Sequence, residues 1–224
     1  MNAEALKGFF YWLLAPVLGV IVRALFRLRV RGWENLPPQR GFLLVARHRS
    51  YWDIPLLITA LGRHHRIYFV ARRTLLQENP FLAFWVRHYA ITIDREHFRP
   101  EDFRKVIQAL QEQKIVGIFP EGTTRNPQRV HPGVVRFAER TQSEIVPVRL
   151  EARGPYPPKY PFRWPQITAH IGAPFSLRDL EFDLPDTIED RHERYQKLAD
   201  LLMERVDRTG IKPQDAHARL EVRP

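Results

Sequence analysis

His48 and Asp53 stand five residues apart in the segment Ala46-Arg47-His48-Arg49-Ser50-Tyr51-Trp52-Asp53. An imidazole is a general base that works near neutral pH, and a carboxylate can fix its tautomer by accepting from one ring nitrogen. The other nitrogen is then free to take a proton from a hydroxyl. On one continuous helix, side chains five apart point in different directions. A strand-to-helix turn between them removes that objection. Taken alone, such a pair is more often a helix-capping aspartate beside a hydrogen-bonded loop histidine.

Two further polar clusters alter that balance. Phe119-Pro120-Glu121-Gly122-Thr123-Thr124-Arg125 follows an apolar run. Gly122 lets backbone approach a ligand closely. Glu121 and Thr123 can hydrogen-bond hydroxyls, and Arg125 can pair with phosphate. Ile93-Asp94-Arg95 puts another arginine just after a second apolar run. Ligands of α/β sheets collect beyond the carboxyl ends of the strands. Polar clusters at three strand ends could therefore line one cleft.

The elements that would hold these clusters are legible from hydrophobic pattern. Short apolar runs at 42–46, 67–71, 89–93, 115–119, 144–150 and 166–171 predict buried strands. Residues 54–61, 81–86, 102–113, 133–140 and about 188–206 predict helices. In the third, Phe103, Val106, Ile107 and Leu110 share one face. In the last, Ile188, Tyr195, Leu198, Leu202 and Val206 do the same. A proline-rich stretch from Pro155 to Pro165 reads as a surface loop. Strands alternating with helices predict an α/β layered domain, with a largely parallel or mixed central sheet flanked by helices.

The chain has 224 residues, a formal net charge of +10 and no cysteine. Disulfides, thiolate metal sites and thiol nucleophiles are excluded, and no metal or other cofactor is called for. The charge favours an anionic partner. Zinc-finger spacing and nucleic-acid-binding signatures are absent, so nucleic acid is not the expected one. Phe9 to Val22 is an uncharged apolar run containing Tyr11 and Trp12, followed by Arg23, Arg27, Arg29 and Arg31. The run is shorter than the ~20 apolar residues of a spanning helix. It reads as a monotopic or peripheral anchor on an anionic phospholipid membrane. A buried core helix is the competing reading. The predicted organisation is an anchor over 1–31, an α/β domain over 32–210 and a tail over 211–224.

His48-x-x-x-x-Asp53, Ile93-Asp94-Arg95, Phe119-Pro120-Glu121-Gly122-Thr123 and Ile145-Val146-Pro147-Val148 occur in this order. In that respect the chain resembles the glycerolipid acyltransferases, and within them the lysophosphatidic acid acyltransferases, over roughly residues 30 to 175. The resemblance implies transfer of a fatty acyl chain from acyl-CoA or acyl-carrier protein to the free hydroxyl of 1-acylglycerol 3-phosphate. It implies His48 as general base, Asp53 as its orienting group, and Arg95, Glu121, Gly122, Thr123 and Arg125 at the acceptor. It also implies the cytoplasmic face of the cell membrane. Two positions depart from the family pattern: Thr124 stands where arginine is frequent, and Pro132 where a basic residue is frequent. Other lysolipids or glycerol 3-phosphate are alternative acceptors, and a non-catalytic basic membrane-binding domain is the rival class.

Overall fold

A computed structural model describes residues 3–38, 41–78, 80–94, 97, 99–122, 130–159, 164–184 and 190–211, with backbone alone at 3, 4, 81 and 82. A seven-stranded sheet forms the middle layer, in the order β1-β7-β6-β2-β5-β3-β4. Its strands are β1 (Arg29–Arg31), β2 (Leu43–Ala46), β3 (Ile67–Arg72), β4 (Ala90–Ile93), β5 (Ile115–Ile118), β6 (Ile145–Arg153) and β7 (Gln166–Ile171). All neighbours pair in parallel except β6 and β7. The layered α/β architecture with a mixed sheet is thus the one the sequence predicts.

The helices are α1 (Ala3–Phe26), α2 (Asp53–Leu61), α3 (Pro80–Tyr89), α4 (Pro100–Gln111), α5 (Gly133–Thr141), α6 (Leu177–Glu181) and α7 (Arg191–Arg208). Every residue of β2 and β5 is buried, as expected of strands covered on both faces. On one face Leu43, Val45, Val116 and Ile118 pack against Val106 and Leu110 of α4, Val134 and Phe137 of α5, and Leu198 and Leu202 of α7. On the other, Leu44, Ala46, Phe69, Val148 and Ile167 pack against Leu56 and Leu57 of α2 and Val22 and Phe26 of α1.

The N-terminal segment departs from expectation. It forms one helix of 24 residues that continues through Pro16. Over residues 5–26 it is long and apolar enough to cross a membrane, by length and composition. The sequence run looked shorter because Lys7 and Arg23 bound it, whereas helix formation tolerates both. One side of α1 is buried through Tyr11, Ala15, Val22 and Phe26. It lies antiparallel to α2. The Tyr11 hydroxyl donates to the carbonyl of His65, past the end of α2 (3.3 Å), while Phe26 meets Trp52 at the start of α2. The other side leaves Phe9, Leu13, Val17, Val20 and Ile21 exposed.

A second departure concerns the basic cluster after α1. Arg29 and Arg31 lie in β1, an edge strand paired with β7, so the end of the segment expected to be an anchor belongs to the sheet itself. Val30 packs on the α1 side of the sheet. Alternation along the strand turns Arg29 and Arg31 to the opposite face. Residues 212–224 of the expected tail lie outside the described residues.

Candidate active site

The strand order reverses at β2. The chain leaves β2 for β3 on one side and returns from β5 to β6 on the other. In open α/β sheets such a reversal opens a crevice at the carboxyl ends of the strands. His48 follows β2, Asp94 follows β4 and Glu121 follows β5, all at the same end of the parallel run β2-β5-β3-β4.

The strand-to-helix turn brings His48 and Asp53 together. His48 Nδ1 lies 3.1 Å from Asp53 Oδ2. An ionised carboxylate only accepts, so Nδ1 carries the hydrogen and Nε2 is the basic nitrogen. Asp53 is fully buried and does not cap α2. Its Oδ2 turns back to accept from the amides of Arg49 (2.7 Å) and Ser50 (2.8 Å). Its Oδ1 accepts from the Tyr156 hydroxyl. The carboxylate thus folds the turn around itself, which a helix-capping aspartate would not do.

The imidazole is held from its face as well. His48 stacks on Phe119 with ring centroids 4.2 Å apart, and Phe119 lies parallel to Phe69 at 5.5 Å. Gly117 makes that stack possible. A Cβ there would sit 2.6 Å from the Phe69 ring, closer than a packed core permits.

Glu121 is buried and its two oxygens are engaged within the protein. Oε2 accepts from the His48 amide (2.7 Å) and Oε1 from Arg47 Nη1 (2.6 Å). Arg47 also forks onto Asp207 of α7, at 2.9 and 2.6 Å. This is a different engagement from the acceptor-hydroxyl contact the sequence suggests for Glu121. Gly122 has φ of +64° and donates its amide to the Phe119 carbonyl (2.9 Å), forming the tight turn expected of glycine. Arg95, Thr123 and Arg125 lie outside the described residues.

Sequence reasoning missed Arg47, Tyr156, Asp207 and Asp102. Asp102, at the start of α4, is buried. It accepts from the Asp94 amide (3.1 Å), Arg73 (3.1 Å) and Lys105 (2.9 Å). Burial pushes its carboxyl upward, but Lys105 and the Asp94 amide outweigh this and hold it below its ordinary value. The contacts of Arg47 and Tyr156 cross long stretches of chain and carry no local signal. Asp102 had one, an acidic residue in a first helical turn. Among the described residues no group of three or more His, Asp or Glu could hold a metal ion.

The acyltransferase family profile matches residues 27–151, more than half of the chain. A Bacillus subtilis (strain 168) protein named 1-acyl-sn-glycerol-3-phosphate acyltransferase is 29% identical over 170 residues, 75% of this chain and 84% of that protein. One of the same name from Streptococcus pneumoniae (strain ATCC BAA-255 / R6) is 26% identical over 166 residues, 73% of this chain and 61% of that protein. In fold the chain is similar to the crystal structure of the 1-acyl-sn-glycerophosphate acyltransferase PlsC from Thermotoga maritima. The TM-score is 0.62 at 21% identity, covering 100% of this chain and 85% of that one. The chain belongs to the acyltransferase family, that of the glycerolipid acyltransferases its motifs resemble, and is an O-acyltransferase.

Proposed function

We propose that the protein acylates 1-acylglycerol 3-phosphate to phosphatidic acid, with His48 as general base and Asp53 as its orienting group. The observation that carries this is the His48–Asp53 pair at the carboxyl end of β2, a part-buried imidazole against a buried carboxylate, with Nδ1 committed to that carboxylate. The names of the two bacterial relatives favour this acceptor over other lysolipids.

In this reading Nε2 of His48 takes the proton as the acceptor hydroxyl oxygen attacks the thioester carbonyl. The tetrahedral adduct collapses, the C–S bond breaks, and the departing sulfur takes the proton back from the imidazolium, leaving as a thiol and restoring neutral His48. Asp53 remains ionised and stabilises the imidazolium. The acyl chain arrives on coenzyme A or acyl-carrier protein, and no other cofactor takes part. Arg95 holds the acceptor phosphate, and Gly122, Thr123 and Arg125 complete the acceptor side. The exposed apolar side of α1 seats the protein on the cytoplasmic face of the cell membrane, where lysolipid and product reside.

The test is acyl transfer from a long-chain thioester to lysophosphatidic acid in lipid micelles, comparing wild type with His48→Ala. Loss of roughly a thousandfold or more in a folded His48→Ala protein is expected. Equal activity in the two proteins would remove His48 from the chemistry. Turnover of a different lysolipid alone would retain the base and reject the acceptor.

A further inference from the structure

The Pro155–Pro165 stretch contributes a group to the His48–Asp53 pair. Tyr156 lies just after β6, and its hydroxyl donates to Asp53 Oδ1 from 103 residues away in sequence. Its ring is held beneath the Arg49 guanidinium, 5.0 Å from the ring centroid. Arg49 in turn donates to the carbonyl of Leu150 in β6. The amide of that same Arg49 is one of the donors to Asp53 Oδ2. The carboxylate is therefore enclosed by the Arg49 and Ser50 amides and the His48 ring on one oxygen and the phenol on the other.

Each of these donors satisfies an acceptor site of the buried carboxylate. The amides belong to the turn and come with the fold. The phenol is the one side-chain hydroxyl among the described donors, and it arrives from another element. Burial, and then the neighbouring Asp53 charge, push its ionisation upward, so the phenol is a neutral donor at neutral pH.

We propose that Tyr156 is a positioning residue for acyl transfer: by donating to Asp53 Oδ1 it fixes the carboxylate's orientation and disperses its charge, setting how readily the His48–Asp53 pair takes up a proton. This rests on the reading of His48 as general base. No proton moves to or from Tyr156 in the reaction. A carboxylate relieved of that donor concentrates more charge opposite His48 Nδ1 and binds the imidazolium more strongly. The protonated, inactive form of the pair then persists to higher pH. A phenol made more acidic by fluorine is a stronger donor, and the displacement reverses.

The experiment compares kcat/KM against pH for wild type, Tyr156→Phe, and protein carrying 3-fluorotyrosine at position 156, with His48→Ala in parallel. Tyr156→Phe keeps the ring that Arg49 covers and removes only the donor. It should lose about tenfold in kcat/KM at neutral pH. Its acid limb should move upward by about half a pH unit or more, and the fluorinated protein's limb downward. A Tyr156→Phe profile superimposable on wild type overturns the proposal. So does a uniform loss of activity with the limb unmoved in both variants, the mark of a purely structural residue. If Tyr156→Phe fails to fold, the fluorinated protein decides alone, since it retains the ring and the hydroxyl. A His48→Ala protein as active as wild type defeats the base assignment itself, a result separable from either limb.

Discussion

A fully buried carboxylate must either be neutralised or be satisfied by donors around it. Glu121 takes the second course, with the His48 amide on one oxygen and Arg47 on the other. It ties the end of β5 to the residue that opens the β2–α2 turn, and through Arg47 and Asp207 it reaches α7. In this geometry its two oxygens hold the backbone of His48 and the guanidinium of Arg47. Glu121→Gln tests this, because the amide nitrogen that replaces one oxygen meets an N–H donor instead of accepting from it. The variant should lose about 1–3 kcal/mol of stability in denaturant unfolding. Its kcat should fall about tenfold or more, with KM for the lysolipid little changed. A raised KM at unchanged kcat would mean that the carboxylate contacts the acceptor after all.

At the level of elements, the site depends on how strand ends are pinned. Asp102 belongs to α4 but accepts from the amide of Asp94, so the start of α4 fixes the end of β4 directly before Arg95. Because its folded-state ionisation lies below the ordinary value, its contribution to stability is fully present above an unfolded-state pKa of about 4. That contribution disappears as pH falls through the lower folded-state value. Asp102→Ala should therefore cost about 1–3 kcal/mol in urea unfolding at pH 7. The gap to wild type should narrow steadily in acid below about pH 4. A gap independent of pH would show that the aspartate acts by packing alone. The six longer strands and the helices α2, α3, α4, α5 and α7 were legible in sequence because each carries a continuous apolar run or a one-sided helical stripe, whereas the five-residue α6 carries neither. β1 was not, since Arg-Val-Arg is a strand only by virtue of pairing with β7. The pairing of His48 with Asp53 was suggested by spacing. The donors that hold Asp53 and Glu121 were hidden, because Tyr156 and Arg47 reach them across loops and helices that no local pattern relates.

At the scale of the whole molecule, α1 joins an apolar outer surface to the His48–Asp53 turn. Phe26 at its end meets Trp52, one residue before Asp53, with ring centroids 5.1 Å apart, and both rings meet Trp164 edge-on at 5.1 and 5.4 Å. α1 lies on the same side of the sheet as His48, whose ring stacks on Phe119, itself parallel to Phe69. Arg29 and Arg31 face the other way, so in the proposed membrane contact it is the exposed apolar side chains of α1 that meet lipid. Val17 and Val20 are 57% and 69% exposed and pack on little of the protein. Replacing both by aspartate should leave the fold and its thermal unfolding nearly unchanged. It should nonetheless weaken cosedimentation with phospholipid vesicles by roughly a hundredfold, taking about 1.5 kcal/mol for each valine removed from the apolar contact. Turnover of lysolipid presented in vesicles should fall with binding, while turnover of the same lysolipid as dilute monomer should not. Undiminished pelleting of the folded double variant would shift the membrane contact to another surface, and the coupling of α1 to Trp52 would then serve stability alone.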